Sequence, residues 1–157
     1  MHGKFDSRHP LVGLSDELIR LNGRLKGLFA GVRRSEGLGD SELMVLNSVV
    51  EADRPPTVPQ IGRSLGQPRQ LVQRAANSLI EAGLIEAVPN PDHKRAVLLR
   101  ATGQGVALKR GFDARADVIA EEIAGNLDAD LVRQAADLLG TIRRELEARL
   151  RASDGRS

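Results

Sequence analysis

The sequence predicts a mainly α-helical chain that carries one small β-hairpin. Three observations lead there. Apolar residues recur at three- and four-residue steps over both ends of the chain. In the middle, "TVPQ" and a later Gly frame a short helix, and a second helix with one polar side follows two residues on. After it, two short apolar runs flank "PNPDHK", a proline-bracketed stretch suited to a turn.

The elements follow in order. Residues 1–10 read as a loose arm. Leu14, Leu18, Leu21, Leu25, Leu28 and Val32 then mark an amphipathic helix from about Leu11 to Ser35. Gly23, Gly27 and Gly31 lie four apart on one side of it. Each costs about 1 kcal/mol of helix propensity against Ala. Either another helix approaches closely there, or the helix is locally weak. "EGLGD" breaks the pattern, and Asp40 is placed to cap a second helix with Leu43, Leu46, Val49 and Val50 on its core face, ending near Ala52. Pro55 and Pro56 cannot continue it.

Thr57 and Gln60 form a capping box, with Pro59 in a first turn where its missing N–H costs nothing. The short helix they open turns Ile61 and Leu65 inward and stops near Gly66. Pro68 starts the next helix. Leu71, Val72, Ala75, Leu79 and Ile80 form its buried stripe, and Arg69, Gln70, Gln73, Arg74 and Asn77 lie opposite. Gly83 is placed to end it in a left-handed conformation. Leu84 to Val88 and Arg95 to Arg100 read as two short strands. Thr102 caps a helix reaching about Ala124, with Val106, Phe112, Ala116, Ile119 and Ile123 as its inner face. Asp128 caps a last helix whose apolar positions are Leu131, Ala135, Leu138, Ile142, Leu146 and Leu150. Residues 152–157 read as a polar, flexible tail.

Composition limits what such a chain can do. Its 157 residues suit one domain with a real core, and 41% hydrophobic with 28% charged residues is an ordinary soluble balance. No apolar run approaches a membrane span, and "MHGKFDSRHP" lacks the apolar core of a signal peptide, so a cytoplasmic protein with no membrane partner is expected. The absence of Cys excludes disulfides and thiol-based redox sensing. His2, His9 and His93 sit in the arm and the turn, and their spacing suggests no metal site. No phosphate-cradling Gly loop follows a strand. Neither an enzyme nor a cofactor is expected.

Net charge is +2, but Pro56 to Phe112 is net +5 and the remainder −3. A locally basic middle points to a polyanion partner for that segment. The chain has only three aromatic residues, Phe5, Phe29 and Phe112, too few for stacking platforms on single strands. Duplex DNA stays open. A short helix, a tight Gly turn and a second helix with a polar outer face form a helix-turn-helix. Gln67, Arg69, Gln70, Gln73 and Arg74 are its candidate major-groove contacts, because Arg can donate twice to guanine and Gln can pair with adenine on two atoms. The hairpin directly after it is a wing. His93, Lys94 and Arg95 at its tip are candidate minor-groove or backbone contacts. Pro89 and Pro91 limit the tip's freedom, which lowers the entropy lost on binding. A solvated helix face and an exposed turn are the plain alternatives, and the consecutive order of the two elements weakens them.

"LGQPRQLVQRAANSLIEAGLIEAVPNPDHKRAVLLRATGQG" resembles the core of the multiple-antibiotic-resistance regulators, the MarR family. The "LIEAGLIE" junction and the Thr102-x-x-Gly105 helix start carry the resemblance most specifically. It implies a winged helix-turn-helix lobe over residues 36–102 and a dimerisation lobe of helices over 11–35 and 103–151. It also implies a homodimeric regulator, often a repressor released by a small aromatic or phenolic ligand, bound to a pseudo-palindromic duplex operator. The family's wing carries Asp-x-Arg. Here Arg95 falls on the Arg position, His93 on the Asp position, and Asp92 comes one residue earlier. That leaves Asp92, His93 or neither to brace Arg95. Ala101 replaces the Leu common before the Thr. Pro68 replaces a small hydroxyl residue, so the helix cap is expected from Gln67 or from water.

The long stripes at both ends support dimerisation independently, because the winged unit is too small to cover both. Two half-sites about 34 Å apart would suit such a dimer. An effector pocket implied by the resemblance would draw on Leu28, Phe29, Leu43, Met44 and Phe112, each of which would serve equally as ordinary core. The alternative function is a helical dimer of the same fold that acts through protein–protein contacts without specific DNA binding.

Overall fold

In the computed structural model, which describes residues 9–34 and 37–154, the first helix opens on an imidazole cap. His9 Nδ1 accepts the Leu11 N–H at 3.2 Å, and Pro10 takes the first helical position. The elements are α1 (Pro10–Leu28), α2 (Ala30–Arg34), α3 (Asp40–Val50), α4 (Val58–Leu65), α5 (Arg69–Glu81), β1 (Ile85–Val88), β2 (Leu98–Ala101), α6 (Gly103–Ala124) and α7 (Ala129–Asp154). They fall into two compact units divided after Gly37, with α1 and α2 in the first and α3 to α7 in the second. The chain is thus mainly helical with one two-stranded antiparallel hairpin. Among the described residues no helix is long and apolar enough to cross a membrane.

In the first unit the single helix expected to reach Ser35 is interrupted at Phe29 (φ −95°, ψ 10°), and Ser35 lies outside the described residues. The interruption falls between Gly27 and Gly31. Apart from the helix's own adjacent backbone, a β-carbon built at Gly23, Gly27 or Gly31 meets no atom of this unit within 4 Å. The low helix propensity of Gly27 and Gly31 suits a break there. Most of the arm expected at residues 1–10 also lies outside the described residues.

The second unit is built on a core of Val45, Leu46 and Val49 from α3, Val58 and Ile61 from α4, Val72, Ala75, Ala76 and Leu79 from α5, Ile85 from β1 and Leu99 from β2. Every element from α3 to β2 therefore contributes, and the core sits under the helix-turn-helix. Thr57 Oγ1 accepts the Gln60 N–H, and Gln60 Oε1 accepts the Thr57 N–H at 2.8 Å, the expected reciprocal cap. Asp40 does not take the capping position expected of it. Gly39 does, and Glu42 Oε2 accepts its N–H at 2.7 Å, because a carboxylate three residues on can reach back to that donor.

The hairpin is shorter than the sequence suggests. Ile85 pairs with Ala101 and Val88 with Leu98, so Arg95, Ala96 and Val97 lie in the turn, not in the second strand. The next hydrogen-bonded pair in this register would join Asn90 to Ala96, but the Asn90 carbonyl accepts the His93 N–H and the Ala96 N–H donates to the His93 carbonyl, so the turn takes up both groups. On the other edge of β2, the Leu99 N–H donates to the Pro56 carbonyl at 2.8 Å, tying the hairpin to the loop before α4.

Gly83 adopts φ +72° and closes α5 as expected. The junction after it is the tightest in the unit. The Thr102 N–H donates to the Leu84 carbonyl at 3.1 Å, and Thr102 Oγ1 donates to the Gly83 carbonyl at 2.7 Å while accepting the Gly105 N–H at 3.1 Å. A β-carbon on Gly105 would lie 2.0 Å from the Leu84 carbonyl oxygen. The Thr-x-x-Gly spacing thus has a geometric basis, a hydroxyl cap followed by a residue with no side chain.

On α6, Phe112 is buried as expected, but Ile123, assigned to the same inner face, is 67% exposed. On α7, Asp128 caps the helix as expected through Oδ1, accepting the Asp130 and Leu131 N–H groups at 2.9 and 3.2 Å. Leu131, Leu138 and Leu150 are each more than 60% exposed. The helix continues through Asp154, so residues 152–154 belong to it, not to the tail expected there, whose remainder lies outside the described residues.

Gly105→Ala is expected to lower stability by about 1–3 kcal/mol, because backbone at Leu84 must move to admit the methyl group. Urea denaturation of the two proteins measures it. An unchanged midpoint would show that the junction yields freely.

Candidate nucleic-acid interface

The outer face of α5 follows from its inner one. Val72, Ala75, Ala76 and Leu79 are buried, which turns Arg69, Gln70, Gln73, Arg74 and Asn77 outward, all of them exposed. These five residues line one open concavity along the helix. Gln73 Nε2 donates to Asn77 Oδ1 at 3.0 Å, one turn along. Gln67 is placed differently. It lies in the turn between α4 and α5, its N–H donates to the Gly62 carbonyl at 2.8 Å, and its half-buried side chain lines a tight internal gap with Ser41, Met44, Val45, Leu65, Leu71 and Val72. No side chain caps α5 at Pro68, so the cap expected from Gln67 is absent.

The wing tip runs from Pro89 to Val97. Asn90 Oδ1 accepts the Asp92 N–H at 3.0 Å, the Asn90 carbonyl accepts the His93 N–H at 3.3 Å, and the His93 carbonyl accepts the Ala96 N–H at 3.2 Å. These bonds fold the tip locally. His93, Lys94 and Arg95 are exposed on it. No hydrogen bond or ion pair joins Arg95 to Asp92 or to His93, so of the three options for bracing Arg95 the structure shows neither partner engaged.

The basic segment separates into two classes. Arg100 Nε pairs with Glu86 across the hairpin at 2.8 Å. Lys109, its side chain only 13% exposed, pairs with Asp113 at 2.5 Å and Glu51 at 3.5 Å. Arg63, Arg69, Arg74, Lys94, Arg95 and Arg110 hold no ion pair with a described residue. The neutralised cations are Arg100 at the base of the hairpin and Lys109 on α6. Arg69, Arg74, Lys94 and Arg95, on α5 and the wing tip, remain available.

The MarR family model matches residues 36–96, the stretch from the start of α3 into the wing tip. An uncharacterized protein of Mycobacterium tuberculosis is 36% identical over 133 residues, covering 80% of this chain and 92% of that protein. The chain belongs to the MarR family. Solved MarR-family structures share its fold. CouR of Rhodococcus jostii RHA1, bound to p-coumaroyl-CoA, has a TM-score of 0.69 at 22% identity over 83% of this chain and 91% of that one. A mutant MarR of E. coli, complexed with operator DNA, has a TM-score of 0.66 at 22% identity over 85% and 95%. This is a winged helix-turn-helix of a family of transcriptional regulators, and N- and C-terminal helices accompany it.

The residues expected to line an effector pocket in this MarR-family chain are divided. Leu28 and Phe29 belong to the first unit, and Leu43, Met44 and Phe112 to the second. Met44 faces the gap beside Gln67, which is too tight for a water molecule. Phe112 is buried under the Arg115 guanidinium, 5.3 Å from the ring centre.

One residue that ties α5 to α3 escaped the sequence reading. Glu42 on α3 accepts the Ser78 hydroxyl of α5 at 2.5 Å as well as the Gly39 N–H. The Ser78 hydroxyl, and then the Gly39 N–H, hold its carboxyl below its ordinary value near 4.5. Such a depressed group contributes stability that is complete above the ordinary value and is lost as pH falls through the lowered one. Glu42→Gln is expected to cost about 1 kcal/mol near neutral pH. The gap between variant and parent should close in strong acid, as urea titrations at the two pH values would show. A gap that persisted in acid would mean that the charge is immaterial.

Proposed function

We propose that two copies of this chain bind a pseudo-palindromic duplex as a transcriptional repressor. The recognition helices enter successive major grooves, and the wings lie in the flanking minor grooves or along the backbone. The observation that carries this reading is the sorting of charge. Arg69 and Arg74 on α5, and Lys94 and Arg95 on the wing tip, are exposed and hold no ion pair with a described residue, whereas Arg100 at the hairpin base and Lys109 on α6 are neutralised. Arg69, Gln70, Gln73 and Arg74 are the base readers of this proposal. His93, Lys94 and Arg95 meet phosphates and the negative minor groove. Gln67 contributes through its turn backbone more than through its half-buried side chain. The likeness to a MarR complexed with operator DNA supports the same reading.

The helices of residues 11–35 and 103–151 serve dimerisation in this proposal. The exposed apolar residues along α7, among them Leu131, Leu138 and Leu150, would be costly on a monomer and are covered by a second copy. Release by a small aromatic or phenolic ligand completes the proposal. Its support is the likeness to CouR bound to p-coumaroyl-CoA.

Selection from a random duplex pool is expected to recover a palindrome with half-sites about one helical turn apart. Affinity for it should fall steeply with salt through counterion release. Arg95→Ala should make that slope shallower, by about one for each phosphate the Arg95 side chain neutralises. Binding that is weak and blind to sequence at every salt concentration would overturn the regulator reading. Leu138→Glu is expected to yield monomers in sedimentation and to weaken operator binding sharply, because the two half-sites are then bound separately. A dimeric Leu138→Glu protein with unchanged affinity would remove α7 from the interface.

A further inference from the structure

The geometry points to Asn77 as a positioning residue for base recognition: it fixes the orientation of the Gln73 carboxamide, so that the recognition helix reads one base step in a single sense. This inference rests on the proposed role of α5 as the reading helix.

Gln73 and Asn77 are both exposed on the outer face of α5, one turn apart, and Gln73 Nε2 donates to Asn77 Oδ1 at 3.0 Å. A Gln amide has two donors on nitrogen and one acceptor oxygen. One donor is committed to Asn77. The second N–H and Oε1 remain and form an edge with a donor at one end and an acceptor at the other. Adenine presents the complementary pair in the major groove, an N7 acceptor beside an N6 donor. A free carboxamide can turn over and present this edge in the reverse order. With its nitrogen held toward Asn77, it presents one order only, and the rotational entropy is lost before the duplex arrives. Asn77 acts through Gln73 and contacts no base in this scheme.

The experiment uses the full chain and the duplex recovered by selection, with each base pair of a half-site substituted in turn. The quantity read is the affinity ratio between selected and substituted duplexes, with thermal unfolding run alongside. Gln73→Ala is expected to flatten that ratio at one step. Asn77→Ala should flatten it at the same step by roughly tenfold, within the range of a bidentate pair. It should have no further effect when added to Gln73→Ala. Asn77→Asp keeps an acceptor oxygen and offers no competing donor. It should therefore retain the ratio while its charge lowers affinity for every duplex alike.

If Gln73→Ala flattens one step and Asn77→Ala leaves that step intact, the positioning role falls and the reading helix stands. If Asn77→Ala flattens a step even in the Gln73→Ala background, Asn77 reads a base itself and the inference is likewise overturned. If Gln73→Ala changes no ratio at any step, the assignment of Gln73 as a base reader fails first and the inference fails with it.

Discussion

The placement of the hairpin against α5 depends on one crowded peptide, the Leu84 carbonyl. That oxygen accepts the Thr102 N–H at 3.1 Å, and only the missing side chain of Gly105 lets α6 pass beside it. The Thr102 hydroxyl bonds the Gly83 carbonyl at the close of α5 and caps α6 in the same stroke. The end of α5, the base of the hairpin and the start of α6 therefore meet within hydrogen-bonding distance. None of the three can shift without breaking a bond that belongs to another. A loop flexible at this point would leave the wing tip free to wander, and any two-part grip on a duplex would lose its preorganisation.

Charge is organised on the same frame. The cation that would crowd the hairpin base, Arg100, is matched by Glu86 across the two strands. Lys109, close to the core, is held between acids of α3 and α6. Exposed pairs of this kind contribute little to stability. Their effect is to neutralise Arg100 and Lys109 while the cations of the polar helix face and the wing tip keep their charge unmatched. Modest net charge is compatible with a strong local field when neutralisation is selective.

Much of this was legible in the sequence because it depends on local chemistry. The Thr57–Gln60 box, the Gly83 stop and the Thr102 and Asp128 caps are each set by residues within a few positions of one another, and each appears where the pattern placed it. What depends on distant partners was harder to read. Asp40 looked like a cap until Glu42 reached Gly39. The β2 boundary required the turn bonds that take up Asn90 and Ala96. The tie from Glu42 to Ser78 spans 36 residues and leaves no periodic trace. On α6 and α7, periodicity correctly marked apolar stripes. It could not say whether a stripe faces its own chain, and Ile123 shows that part of it does not. Of the candidate contacts, the face of α5 was visible from spacing alone. The half-buried position of Gln67 was not, because it follows from how tightly the turn closes over Gly62.

The bond between the Leu99 N–H and the Pro56 carbonyl also bears on solubility. A two-stranded ribbon presents unpaired edges, and an exposed edge can recruit strands from other molecules into aggregates. Here one outward donor of β2 is already occupied by the chain's own loop, and prolines at 55 and 56 keep that loop from becoming a third strand that would itself invite pairing. One of the groups through which the ribbon could recruit a foreign strand is therefore already taken within the chain.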